Sequence, residues 1–151
     1  MNKTAIVTGA ASGLGYELAL LLAKDSYNLI LIDIDKDNLD VAKRSIQELI
    51  NIDIKLMVKD LSESNVAIAV FDEIKHIPID ILINNAGFGL FGTFLDTDWK
   101  RQLTVLQLHI ITTTHLTKLL LDGMINRKSG KILNISSLAA FQPGPLMSVY
   151  Y

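Results

Sequence analysis

The chain has 151 residues, 50% of them hydrophobic and 20% charged, with a formal net charge of −2 and no cysteine. That composition excludes a disordered chain, a disulfide framework and a thiolate metal site, and it offers no basic surface for nucleic acid or an anionic membrane. Its mean hydropathy of +0.34 is high, as strands buried on both faces would make it.

The run Thr4–Val7 reads as the first short, apolar strand. It leads into Thr8-Gly9-Ala10-Ala11-Ser12-Gly13-Leu14-Gly15, and helical periodicity follows over Gly13–Lys24. Glycines there allow positive φ and close backbone approach to a ligand, and the helix start aims free N–H groups and a positive dipole end at an anion such as a pyrophosphate. An ordinary tight turn would have the same glycines. It is the placement, strand before and helix after, that favours a dinucleotide. The second strand, Leu29–Ile32, ends at Asp33, within the window where dinucleotide folds place a ribose-binding acid. Asp35 and Asp37 lie closer to the next helix, Asp37–Ile50, and suit its cap better.

Three further strands are expected at Ile54–Val58, Ile79–Ile83 and Lys131–Ile135, with helices at Asn65–His76 and Asp98–Asn126 between them. The last helix is unusual at its centre, where Ile110, Ile111, Thr112, Thr113 and Thr114 are all β-branched. Burial is expected to override their low helix propensity, although back-bonding Thr hydroxyls would bend a helix there. The alternation of strands and helices predicts an α/β fold: one doubly wound, Rossmann-type parallel sheet with helices on both faces, forming a single domain over residues 1–151.

Nothing at the amino end reads as a signal peptide, since Ala5–Val7 runs directly into the Gly-rich turn. The longest apolar region, Leu103–Leu121, is broken by Gln107, His109, His115 and Lys118, unlike a membrane span of about 20 apolar residues. A cytoplasmic protein without a membrane or nucleic-acid partner is expected. His76, His109 and His115 suggest no metal constellation.

Taken together, these motifs resemble the short-chain dehydrogenase/reductase family along nearly the whole chain. The family's Thr-Gly-x-x-x-Gly-x-Gly is matched by Thr8, Gly9, Gly13 and Gly15, and its acidic-apolar pair after the third strand by Asp60-Leu61. Its Asn-Asn-Ala-Gly, the most diagnostic of the set, is matched by Asn84-Asn85-Ala86-Gly87, and its strand-end serine by Ser137. Its tyrosine falls thirteen positions later, at Tyr150. The segment Phe141-Gln142-Pro143-Gly144-Pro145 resembles the branch that acts on hydroxyl or keto groups of fairly apolar substrates.

The resemblance implies a nicotinamide cofactor held by Thr8, Gly9, Ser12, Gly13, Leu14, Gly15, Asp33, Asp60, Leu61, Asn85, Ala86 and Gly87. Ser137 would hold a small-molecule substrate's oxygen and Tyr150 would exchange its proton. A carboxylate at Asp33, followed by Ile34 where NADP users often carry Arg, predicts NAD rather than NADP, with Lys36 as a counter-argument. Two departures stand out. His109 occupies the place of the family's helical Asn, as a substitute proton relay or as a satisfied helix-face histidine. The family's Lys would fall three residues beyond Tyr151, and the later strands and helices are likewise not in the sequence. A fragment or truncated form is therefore expected, with impaired activity. The alternatives are a non-catalytic dinucleotide-binding remnant, or an interaction protein whose uncovered fifth strand invites pairing. A homo-oligomer is compatible with the same sequence.

Overall fold

The computed structural model describes residues 3–151. Five strands, β1 (Thr4–Thr8), β2 (Asn28–Asp33), β3 (Ile54–Val58), β4 (Ile81–Asn84) and β5 (Lys131–Asn134), form one sheet in the order β3-β2-β1-β4-β5. Every pairing is parallel, so each connection must cross over a face of the sheet. The order reverses between β1 and β4. That switch point opens a crevice beyond the strands' carboxyl ends, where open α/β sheets bind ligands.

Period-two alternation divides the strands between two cores. Ala5, Val7, Leu29 and Leu31 face one side and are covered by Ala19 and Ala23 of α1 (Gly13–Lys24) and Leu39 and Ile46 of α2 (Lys36–Leu49). Ile6, Ile30, Ile32 and Leu82 face the other, covered by Val66, Val70 and Ile74 of α3 (Val66–Ile74) and Leu116, Leu120 and Met124 of α5 (Thr113–Asn126). Each fully buried aliphatic side chain of this kind contributes about 1.5–3 kcal/mol. The central strands are apolar at consecutive positions because both faces are covered.

The expected single helix from Asp98 to Asn126 is three pieces: α4 (Trp99–Leu106), a π-helical turn (Gln107–Thr112) and α5. Here the expectation that burial would overcome the β-branched run is corrected. Ile110 and Ile111 in the π turn are exposed, so packing does not hold them in an α-helix, whereas Thr112 is buried and Thr113 and Thr114 already belong to α5. The backbone widens instead. Side-chain bonds match the wider register: Thr113 Oγ1 donates to the Leu108 carbonyl at 3.1 Å, and Gln107 Nε2 donates to Thr112 Oγ1 at 3.3 Å, each five residues apart. Such π turns are rare and occur often at functional sites; this one carries His109.

Candidate active site

The Gly-rich loop is tied to the sheet by its own backbone. Gly9 has φ +66° and Gly13 φ +54°, both in the left-handed region that favours glycine. Gly9 and Ala10 donate their N–H groups to the Ile32 carbonyl at 2.8 and 3.3 Å, which holds the loop against β2. Ser12, Gly13 and Leu14 then form the exposed start of α1, and the Ser12 hydroxyl makes no cap bond. The first N–H groups of a helix have no earlier turn to donate to, so this end presents donors and a positive dipole to the crevice.

The three glycines differ in task. A Cβ built on Gly13 meets nothing within 4 Å among the described residues, so the space beside it is open. A Cβ on Gly15 would stand 2.0 Å from the Gly9 carbonyl oxygen and 2.5 Å from Asn85 Nδ2. Gly15 is thus explained by the packing of α1 on its own loop.

Thr8 and Asn85, expected among the cofactor contacts, act through their side chains as a clasp. The buried Thr8 hydroxyl donates to the Ile83 carbonyl and accepts from the Asn85 and Ala86 N–H groups at 2.9 and 3.0 Å. Its one proton and two lone pairs are all used, leaving nothing for a ligand. Asn85 Nδ2 donates to the Thr8 and Gly9 carbonyls at 3.0 and 3.1 Å. The ends of β1 and β4 are joined in this way, and Asn84 continues the tie by donating to Asn134 Oδ1 at 2.8 Å across to β5.

On one side of the clasp lies a crevice of about 560 Å³ lined by Gly9, Ser12, Asp33, Asp60, Leu61 and Asn85–Gly87, among others. Asp33 Oδ2 accepts from the Ala11 N–H at 3.0 Å and Oδ1 from the Asp35 N–H at 3.1 Å. The carboxylate is therefore aimed by the backbone and keeps a lone pair on each oxygen for hydroxyl donors. Asp35 is the N-cap of α2, accepting from Asn38 N–H at 3.0 Å, so the cap and the crevice acid are separate residues. That Asn38 N–H, and then the Asn38 side chain, hold the Asp35 carboxyl below the usual aspartate range. Asp60 accepts from the Ser62 N–H and hydroxyl at 2.9 and 2.6 Å, while the Leu61 side chain is mostly given to the core.

A second crevice, of about 640 Å³, lies on the other side and shares Asn85, Ala86 and Gly87 as a common wall. Ser137, Tyr150 and His109, far apart in sequence, all face it. Ser137 follows β5 and accepts from the Ala139 N–H at 3.1 Å, which leaves its hydroxyl proton free to donate. Tyr150 sits on a closing turn whose N–H reaches the Met147 carbonyl at 2.9 Å. The His109 ring stands edge-on to the Tyr150 ring at 5.6 Å. Its Nε2 lies 3.0 Å from the Phe88 carbonyl and 3.2 Å from the Phe88 N–H, donating to one or accepting from the other according to tautomer. A side chain at Gly87 would strike His109 Cε1 at 2.4 Å, so glycine and imidazole fit each other there.

These residues fit a dinucleotide. A donor-rich helix start, an open place beside Gly13 and an acid with free lone pairs line one crevice. The second crevice, which Ser137, Tyr150 and His109 face, adjoins it.

The short chain dehydrogenase family profile matches residues 3–151. This chain belongs to the short-chain dehydrogenase/reductase family. It is 33% identical over 154 residues to hydroxysteroid dehydrogenase-like protein 1 of Gallus gallus, covering 99% of this chain and 46% of that protein. Among solved structures, the bulky-bulky ketone specific alcohol dehydrogenase from Comamonas testosteroni superposes with a TM-score of 0.92 at 30% identity, over 98% of this chain and 60% of that one. A short-chain dehydrogenase from Sphingobium yanoikuyae in complex with NADPH gives 0.91 at 28% identity, over 98% and 59%. The chain spans about half the length of the curated relatives it matches. Those similarities agree with the parallel sheet and the two-sided helical cover. No helix among the described residues is long and apolar enough to cross a membrane.

Several residues that line the two crevices were not legible in the sequence. Lys59, Thr104 and Leu108 line the first crevice, and Val105, Ile110 and Tyr151 the second. The β-branched run was the one available signal for the π turn that presents His109.

Proposed function

We propose that this chain forms the cofactor-binding part of an NAD(H)-dependent oxidoreductase that interconverts a hydroxyl and a keto group on a fairly apolar small molecule. The observation that carries the reading is the shared wall at Asn85–Gly87, with a dinucleotide cradle on one side and Ser137, Tyr150 and His109 on the other. The bound nicotinamide would supply the hydride, or take it up in the reverse direction. The chain's residues supply orientation and a proton. Ser137 donates to the substrate oxygen, and Tyr150 gives that oxygen a proton in reduction or removes it in oxidation. His109, beside the Tyr150 ring, is in place to relay the proton onward. Val105, Leu106, Ile110, Ile135 and Val149 in the second crevice support an apolar substrate, as do the bulky ketones named for the Comamonas testosteroni relative.

Asp33 supports NAD(H). Its carboxylate suits the two adenosine ribose hydroxyls and repels a 2′-phosphate, and exposed Ile34 beside it carries no charge. The Sphingobium yanoikuyae relative was solved with NADPH, so the two cofactors have to be compared directly. Titrating NADH and NADPH by fluorescence tests the reading. NADH should bind more tightly to the unchanged chain, and Asp33→Ala should narrow the difference. Tighter binding of NADPH by the unchanged chain would refute the preference.

A further inference from the structure

Among the described residues, three charged side chains line the first crevice: Asp33, Lys59 and Asp60. Lys59 is the cation of the set. Its backbone N–H donates to the Asp33 carbonyl at 2.9 Å, so it stands directly beside the strand end that carries the ribose acid. A flexible four-carbon stem could carry its ammonium into the crevice. It is held elsewhere. Lys59 Nζ lies 2.6 Å from Glu73 Oε1, in the last turn of α3. Lys55 Nζ donates to the Glu73 backbone carbonyl at 3.0 Å, so two lysines from β3 and its exit converge on the end of α3. The negative end of the α3 dipole favours both. The ion pair that Lys59 makes is with Glu73 and not with Asp60, whose Oδ1 accepts from Ser62.

We propose that Glu73 is a positioning residue for dinucleotide choice: by pairing with Lys59 it withholds the crevice's cation from a 2′-phosphate. This rests on the reading that Asp33 receives the adenosine ribose. A 2′-phosphate would bring up to two negative charges next to the Asp33 carboxylate. A free ammonium nearby would offset that repulsion, whereas a paired one must first give up Glu73. The pair is partly exposed, with side chains 29% and 44% accessible, so its hold is modest. Exposed pairs are worth at most about 1 kcal/mol, which corresponds to roughly a two- to fivefold change in binding.

The test is Glu73→Gln, which keeps the side chain's shape and removes its charge. Dissociation constants for NADPH and NADH are measured by fluorescence for the unchanged chain, for this variant, and for the double variant with Lys59→Met. The NADPH-to-NADH affinity ratio should rise roughly two- to fivefold in Glu73→Gln. The gain should vanish in the double variant and shrink in about 0.5 M salt, where exposed charges are screened. Glu73→Ala should show the same rise. A purely structural role for Glu73 would weaken both dinucleotides together and leave the ratio in place. An unchanged ratio in folded variants that still bind NADH overturns this inference and spares the NAD(H) reading. Tighter NADPH binding by the unchanged chain, or binding of neither dinucleotide, overturns both.

Discussion

Gly13 and Gly15 sit two residues apart in one motif, and the structure gives them opposite responses to a side chain. At Gly15 a methyl group would lie 2.0 Å from a backbone carbonyl oxygen and 2.5 Å from an amide nitrogen already bonded to two carbonyls. Neither neighbour is the free end of a flexible chain, so the loop itself must move. Overpacking of this kind typically costs about 1–3 kcal/mol, and Gly15→Ala belongs at the upper end. For a domain of this size about 3 kcal/mol lowers the melting temperature by roughly 6–12 °C. At Gly13 a methyl group meets nothing, and the cost is the left-handed backbone, about 1–2 kcal/mol at φ +54°. The free space beside Gly13 is where a pyrophosphate would approach. Gly13→Val should therefore stay folded, with helical content near the parent's, and lose dinucleotide binding. Circular dichroism melts and NADH fluorescence titrations on both variants separate the two effects. Unchanged NADH affinity in folded Gly13→Val, or an unshifted melt for Gly15→Ala, would refute the division of labour.

The clasp gives a second outcome. Thr8→Val leaves the Asn85 and Ala86 N–H groups without their acceptor, at about 1–3 kcal/mol for each buried donor, whereas Thr8→Ser should cost clearly less by urea unfolding. The Asp35 cap gives a pH dependence. Its folded-state carboxyl is held below the unfolded value of about 3.9, so its stabilisation is complete above that value and is lost as pH falls through the lower folded value. Asp35→Ala should accordingly lower the melting temperature at pH 7 and change it little near pH 2. Finally, no lysine or arginine among the described residues lines the second crevice, so no fixed positive charge stands there to stabilise an oxyanion. A polypeptide of these 151 residues should bind NADH yet show flat cofactor absorbance with a panel of apolar ketones; robust turnover would contradict this and make His109 the first residue to substitute.

The sequence by itself determined the sheet, its two-sided cover and the place of the Gly-rich loop. Those features rest on local physics. Short runs such as Leu29–Ile32 are apolar at every position because both faces are buried, and a Gly-rich turn between a strand and a helix is complete within fifteen residues. Position along the chain also separated Asp33 at the strand end from Asp35 and Asp37 near the helix start, and the structure makes Asp35 the cap. What only the tertiary structure decided involves partners distant in the chain. Thr8 is a clasp because its hydroxyl meets amides 77 and 78 positions away. Gly15 is excluded from bearing a side chain by a neighbouring turn and by Asn85. Lys59 is withheld by a glutamate on the next helix. His109 faces Phe88 and Tyr150 from a π turn, Gln107–Thr112, into which the first part of the β-branched run widens. Propensity marked that run as unusual, but the π turn joins α4 to α5, and no local pattern encodes how the two helices meet there.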